Sequence, residues 1–119
     1  MQARIWHNPR CGKSRATLQL LITHGVDCVV VDYLHEPPTL AALRTVLRQL
    51  QLPARELLRS GEPLYRTLGL HDPAMTDEAL LAAMAAHPIL IERPIVVVGQ
   101  RAAIGRPPER VLSLLDPAA

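Results

Sequence analysis

The spacing of apolar residues in the first third of the chain predicts a strand, a loop, a helix and a second strand. The first strand runs from Arg4 to His7 and ends at Asn8-Pro9. The helix that follows ends at His24-Gly25. Its apolar residues, at helical spacing, are Ala16, Leu18, Leu21 and Ile22. The β-branched run from Cys28 to Tyr33 is typical of a strand buried on both faces, which favours a parallel βαβ unit.

The middle of the chain is predicted to be helical. One helix has Thr39 as its N-cap and presents a single apolar face to its neighbours. That face consists of Leu40, Leu43, Val46, Leu47 and Leu50. Pro53 begins a shorter helical piece that ends near Arg59, and a turn follows. Thr76, followed by two acidic residues, caps a third helix that runs to His87. Together these helices form a helical insertion over about residues 39–88.

Strand periodicity returns towards the end of the chain. Two apolar runs, Ile95–Val98 and Ala102 to Ile104, are joined by Gly99-Gln100 and predict a hairpin. Pro107 begins a last helix that ends at Asp116-Pro117. The apolar residues of this helix are Val111, Leu112 and Leu115. The order β-α-β, helices, β-β-α predicts a single α/β domain over residues 1–119, with a small mixed sheet and an inserted helical segment.

Composition narrows the possible functions. The chain has 119 residues, of which 49% are hydrophobic, enough for one core. Its net charge of +2 does not favour a broad surface for nucleic acid or membrane. Aromatic residues, which stack on bases, make up only 3%. Neither a secretory leader nor an apolar run of membrane-spanning length is evident, so the chain is predicted to be cytoplasmic, with its two cysteines reduced.

The loop HNPRCGKSR, from His7 to Arg15, holds the candidate chemistry. Gly-Lys-Ser suggests a phosphate loop, but the first glycine that a P-loop requires is replaced by His7. A phosphatase loop needs an arginine six positions after its cysteine, and that position is Thr17. Both phosphate-binding interpretations are therefore excluded. What remains is Cys11, a cysteine at a strand-to-helix junction.

Cys11 has the surroundings of a reactive thiol. The free N–H groups and the positive dipole end of a helix lower a thiol pKa, and three basic neighbours act in the same direction. Those neighbours are Arg10, Lys13 and Arg15. A buried structural cysteine with solvated basic neighbours is the alternative, but an exposed polar loop favours the reactive thiolate.

The other cysteine and the polar neighbours of Cys11 admit two interpretations each. Cys28 is either an inert core thiol, which its strand favours, or a resolving partner for Cys11. Ser14, in a Cys-x-x-Ser, cannot close a local disulfide, but its hydroxyl could bind the Cys11 thiolate or the local backbone. His7 could orient the loop or simply end the strand. No metal-ligand spacing is present.

Three arginines at element boundaries are candidates for binding an oxyanion. They are Arg59 at the end of ARELLR, Arg93 in LIERPIVV and Arg106 in GRPPERV. A guanidinium matches a tetrahedral oxyanion bidentately and stays charged at neutral pH. Arg93 and Arg106 stand where loops carry function, although each arginine alone could be a surface residue.

Three segments, IWHNPRCGKSRATLQLL, ARELLRSGEPLYRTLGL and HPILIERPIVVVGQRAAIGRPPERVLSLL, together resemble the glutaredoxin-dependent arsenate reductases of the ArsC family. The Cys-Gly-Lys-Ser loop is most similar to that of the family's short, mostly uncharacterised members. The resemblance implies a thioredoxin-like mixed sheet with helices on both faces and an inserted helical segment. It further implies that Pro94 is cis.

The resemblance also implies roles for individual residues. Cys11 matches the nucleophile, and three arginines match those that hold the oxyanion: Arg59, Arg93 and Arg106. Ser14 and His7 match loop positions that support the thiolate. No metal and no bound cofactor are implied.

The implied reaction is the reduction of arsenate to arsenite, with glutathione as co-substrate and glutaredoxin as the partner that resets the enzyme. Two other functions stay open for this fold. One is a partner-binding regulator resembling the Spx-type proteins, although those use a Cys-x-x-Cys switch that Ser14 removes here. The other is a general glutathione-linked thiol oxidoreductase. The small size predicts a monomer.

Overall fold

A four-stranded mixed sheet forms the centre of the fold in the computed structural model, which describes residues 1–116. Its strands are β1 (Gln2–Trp6), β2 (Asp27–Val31), β3 (Ile95–Val98) and β4 (Arg101–Ile104). The strand order is β2-β1-β3-β4, with β1 parallel to β2 and the other pairs antiparallel. This confirms the predicted α/β class, the parallel pair and the hairpin. The predicted stop at Pro117 lies outside the described residues.

The chain divides into two compact units, and the sheet belongs to the first, which comprises residues 1–36 and the chain from Arg93 onwards. Helix α1 (Gly12–Thr23) and a 3₁₀ helix (Pro108–Leu115) pack against this sheet. The buried apolar cluster between them is Ala3, Ile5, Leu21, Val26, Val96, Val111 and Leu114. Burial of this apolar surface stabilises the unit and holds α1 in place within it.

The buried face of α1 does not coincide with its apolar residues. Ser14, Thr17 and Leu21 are buried, whereas Ala16 is exposed and Ile22 is 52% exposed. The spacing of apolar residues predicted the helix correctly but does not define its buried face. Two polar side chains occupy the buried positions instead, and both have hydrogen-bond partners there.

Strand β2 lies at an edge of the sheet, and the exposure of its valines shows that the prediction of burial on both faces was wrong. Val29 and Val30 are 39% and 50% exposed. β2 pairs only with β1, and its other side has no neighbouring strand among residues 1–116. A run of β-branched residues favours a strand at the centre or at the edge of a sheet, because these side chains fit the pleated backbone whatever the number of neighbouring strands.

The second unit covers residues 37–92 and is helical. Its helices are α2 (Leu40–Leu50), α3 (Ala54–Leu57), α4 (Pro63–Thr67), α5 (Asp77–Ala86) and a 3₁₀ turn (Pro88–Leu90). Thr39 and Thr76 accept the backbone N–H of Ala42 and Ala79, which confirms both predicted N-caps. The sequence did not predict α4 as a separate helix. That this segment is an insertion within one domain stays a prediction.

The last helix is a 3₁₀ helix rather than an α-helix. Val111 and Leu114 are its buried residues, three positions apart, as expected where each turn takes three residues. The predicted α-helical face included Leu112 and Leu115, which are only partly buried. Within the described part of the chain no helix combines the length and the apolar character needed to cross a membrane.

Candidate active site

Cys11 is the N-cap residue of α1, with φ −93° and ψ 121°. Its backbone N–H donates to the Asn8 carbonyl at 3.0 Å, and its own carbonyl accepts from Arg15 N–H at 3.0 Å in the first helical turn. The chain thus turns from β1 into α1 with the cysteine at the junction. The sulfur is half-buried and lies near the free N–H groups of the first turn.

The surroundings of Cys11 favour its thiolate. Partial burial raises the pKa of this thiol, but hydrogen bonds to the sulfur together act more strongly in the other direction. The backbone N–H of Ser14 is the largest of these, followed by the Arg93 side chain and the Lys13 N–H, and the charge of Arg93 adds to them. The net result is a Cys11 pKa below its ordinary value, so more of the thiol is ionised at neutral pH.

Two of the three candidate arginines lie beside this sulfur. An Nη2 of Arg106 approaches Cys11 Sγ at 3.8 Å, and its Nε donates to the Arg93 carbonyl at 2.9 Å. The peptide bond between Arg93 and Pro94 is cis, as the resemblance implied, and the one between Arg106 and Pro107 is cis as well. The sulfur and two guanidinium groups therefore share one site in the first unit.

The hydroxyl of Ser14 binds the loop rather than the sulfur. It lies 2.6 Å from His7 Nδ1 and accepts the backbone N–H of Asn8 at 3.0 Å. His7, which follows β1 directly, thereby contacts the start of α1. Burial lowers the pKa of His7, and Arg15 lowers it further while Asp32 opposes, so the imidazole is neutral at pH 7.

Two hydrogen-bonding roles within this loop, those of Asn8 and Arg15, were not predicted from the sequence. Asn8 is buried, and its Oδ1 accepts the N–H of Arg10 at 3.0 Å, which forms an Asx turn ahead of the cysteine. Arg15 donates from Nη1 to the Pro9 carbonyl at 2.9 Å and so closes the loop from its other side. The preference of Asn for such turns could have indicated the first role. Nothing in the local pattern distinguishes Arg15 from a surface arginine.

Arg59, the third candidate arginine, belongs to the second unit. Its backbone N–H donates to the Leu90 carbonyl at 2.8 Å. Its guanidinium forms ion pairs with Glu62 at 3.4 Å and Glu92 at 3.3 Å. Its participation in binding an oxyanion stays a prediction.

Cys28 has the opposite character to Cys11. Burial raises the pKa of its thiol, and the neighbouring charge of Asp27 raises it further. Its sulfur packs against the apolar cluster of the first unit and lies 3.6 Å from the Val26 carbonyl. These surroundings favour an inert thiol, and a resolving role for Cys28 stays a prediction.

The arrangement around Cys11 suits covalent attack on an oxyanion. A thiolate is the nucleophilic form of cysteine, and the two fixed guanidinium groups can neutralise the charge of the oxyanion as it approaches. Within residues 1–116 no cluster of three or more His, Cys, Asp or Glu side chains could hold a metal ion.

Comparisons with known proteins identify relatives over nearly the whole chain. The model of the ArsC family matches residues 6–114. The arsenate reductase of Neisseria meningitidis serogroup A is 46% identical over 96% of this chain and 98% of its own length. The uncharacterized protein YfgD of Escherichia coli is 51% identical over 96% of this chain and 97% of its own. A solved arsenate reductase from Vibrio cholerae superposes with a TM-score of 0.94 at 48% identity, covering 96% of this chain and 98% of that one.

Proposed function

Because the chain belongs to the ArsC family, we propose that it is a thiol-dependent arsenate reductase that converts arsenate to arsenite through Cys11. The observation that carries the proposal is the meeting of a thiolate-favouring cysteine with Arg93 and Arg106 at the start of α1. Two relatives at 46% and 48% identity bear the name arsenate reductase. A buried structural cysteine would need none of these contacts.

In the proposed reaction the Cys11 thiolate attacks the arsenic atom of arsenate. A sulfur–arsenic bond forms, and one arsenate oxygen leaves as water after protonation. Arg93 and Arg106 bind the remaining oxygens, with Arg59 as a third ligand by its match to the family motif. Their charges stabilise the negative charge that collects on the oxygens as the bond forms.

Outside thiols supply the electrons in this proposal. Reduction of As(V) to As(III) takes two electrons, and the conversion of two thiols to one disulfide releases two. Glutathione displaces a second arsenic-bound oxygen as water and forms its own sulfur–arsenic bond. A glutaredoxin thiol then attacks the glutathione sulfur, so that the glutathione–arsenic bond breaks with its electron pair left on arsenic and a mixed disulfide of glutathione and glutaredoxin forms. Water hydrolyses the remaining bond between arsenic and Cys11, which releases arsenite and restores the Cys11 thiolate. Ser14 in place of a second local cysteine supports an external donor, because the loop cannot form its own disulfide. Both donors belong to the cytoplasm, where we place the protein.

The test is arsenite formation with glutathione, glutaredoxin and an NADPH recycling system. Cys11→Ser should abolish turnover, and Arg93→Ala should reduce it about 100- to 1,000-fold, since one hydrogen-bond donor to a developing oxyanion contributes about 2.7–4 kcal/mol. Cys28→Ser is the matched control, because it removes the other cysteine and should keep the wild-type rate. Turnover that survives in Cys11→Ser would exclude the proposed nucleophile.

A further inference from the structure

Gly105 lies unusually close to the side chain of Thr17 in the first unit. A Cβ atom added to Gly105 would lie 2.5 Å from Thr17 Oγ1 and 2.8 Å from Pro94 Cγ. Carbon atoms in ordinary contact are about 3.5–4.0 Å apart, so no side chain fits between them. Thr17 is fully buried, and its hydroxyl donates to the Lys13 carbonyl at 2.8 Å. The threonine therefore cannot swing aside without losing this hydrogen bond.

The two residues of this contact belong to segments that carry different parts of the active site. On one side, Thr17 lies in α1, the helix that begins next to Cys11. On the other, Gly105 N–H donates to the Pro94 carbonyl at 2.9 Å, and Arg106 Nε donates to the Arg93 carbonyl at 2.9 Å. These bonds tie the two arginine-bearing segments together. At the contact between Thr17 and Gly105, the segment that carries Arg106 thus packs against α1, the helix that begins next to Cys11.

We propose that the contact between Thr17 and the bare backbone of Gly105 positions Arg106 against the sulfur of Cys11. Arg106 Nη2 reaches Cys11 Sγ at 3.8 Å, near the limit for a hydrogen bond to sulfur. A methyl group at position 105 would push the segment away from α1 by about 1 Å to regain ordinary contact distances. Such a shift removes the bond from Arg106 to the thiolate. Thr17 and Gly105 are positioning residues here, since neither touches the sulfur.

The test measures the rate at which iodoacetamide alkylates Cys11 as a function of pH, in a Cys28→Ser background so that one thiol reacts. In Gly105→Ala the midpoint should move to higher pH, and the rate at pH 6.5 should fall about 3- to 10-fold, because one unit of thiol pKa is a tenfold change in thiolate fraction. The double variant Gly105→Ala with Thr17→Ala removes the 2.5 Å contact with Thr17 Oγ1 and should recover part of the rate, since the 2.8 Å contact with Pro94 Cγ remains. Adding Thr23→Ala to Gly105→Ala, which truncates an exposed threonine of the same helix, should recover nothing.

Two results would overturn the proposal. One is a folded Gly105→Ala protein with the wild-type pH profile. The other is equal recovery by Thr17→Ala and Thr23→Ala in the Gly105→Ala background. Should Gly105→Ala fail to fold, Thr17→Ala alone decides. The gap it leaves should loosen Arg106 and lower the rate at pH 6.5 about twofold relative to Thr23→Ala, and equal rates would contradict the positioning role. Because alkylation requires neither arsenate nor an electron donor, this result is independent of the proposed reductase activity.

Discussion

Replacement of Ser14 by alanine removes a buried hydroxyl that serves two partners. Its Oγ accepts the Asn8 N–H at 3.0 Å and lies 2.6 Å from His7 Nδ1. Both partners are buried, at 7% and 9% exposure, so water replaces the hydroxyl poorly. Each unsatisfied buried group costs about 1–3 kcal/mol, which gives a loss of about 2–4 kcal/mol with partial hydration. The thiol pKa should change little, because the bond from Ser14 to the sulfur comes from its backbone N–H.

Urea denaturation and the pH dependence of Cys11 alkylation separate these two effects. With a urea slope of about 2 kcal/mol/M, the expected loss lowers the unfolding midpoint of Ser14→Ala by about 1–2 M. Ser113→Ala is the control, since its hydroxyl is exposed and bonds the Arg110 carbonyl, and its stability should change by no more than about 0.5 kcal/mol. An unchanged midpoint together with a Cys11 pKa raised by about one unit or more would refute the reasoning. The hydroxyl would then serve the thiolate instead of the loop.

Three further predictions concern burial and charge. Leu21→Ala, at a fully buried position, should lower the free energy of unfolding measured in urea by about 2–5 kcal/mol, whereas the neighbouring Ile22→Ala should lower it by under about 1 kcal/mol. Similar losses in the two variants would contradict the observed burial of α1. Burial lowers the pKa of His7 and keeps it neutral in the folded protein, whereas in the unfolded chain its imidazole binds a proton below pH about 6.5. The free energy of unfolding should therefore fall as the pH drops through that range, and it should fall less in His7→Asn. Parallel plots of unfolding free energy against pH for the two proteins would contradict this prediction. Arg93→Lys, which keeps the charge but not the guanidinium fork, should raise the alkylation midpoint of Cys11 less than Arg93→Ala does, and an equal rise would show that charge plays no part.

The sequence predicts elements well where one local signal decides their structure. Thr39 and Thr76 act as N-caps through their own side chains, and Gly99 supplies the positive φ that the hairpin turn uses. Features that depend on residues distant in the sequence are not predicted. The valines of β2 fit a central or an edge strand equally, and only the pairing of the whole sheet places them at the edge. The buried face of α1 was missed because Ser14 and Thr17 find their partners only in the folded loop.

The candidate site follows the same division. Cys11 could be identified locally, since a thiol at a helix start among basic residues is typical of a reactive cysteine. Arg93 and Arg106 could be named as candidates from their places at element boundaries, but only the family resemblance joined them to Cys11, because they are separated from it by more than 80 residues and meet it only in the folded chain. The role of Gly105 could not be predicted from the sequence. A glycine is required there because the side chain of Thr17 leaves no room for a Cβ atom, and not because of the backbone angles of Gly105.

The central claim, that this chain reduces arsenate with electrons from outside thiols, is tested most directly by measuring arsenite itself. Chromatographic separation of arsenate and arsenite after incubation with glutathione, glutaredoxin and recycled NADPH should give one arsenite for each NADPH oxidised. Omission of either glutathione or glutaredoxin should stop the reaction. Absence of arsenite in the complete mixture, with folded protein and an alkylatable Cys11, would contradict the claim and leave a reactive thiol that serves another substrate.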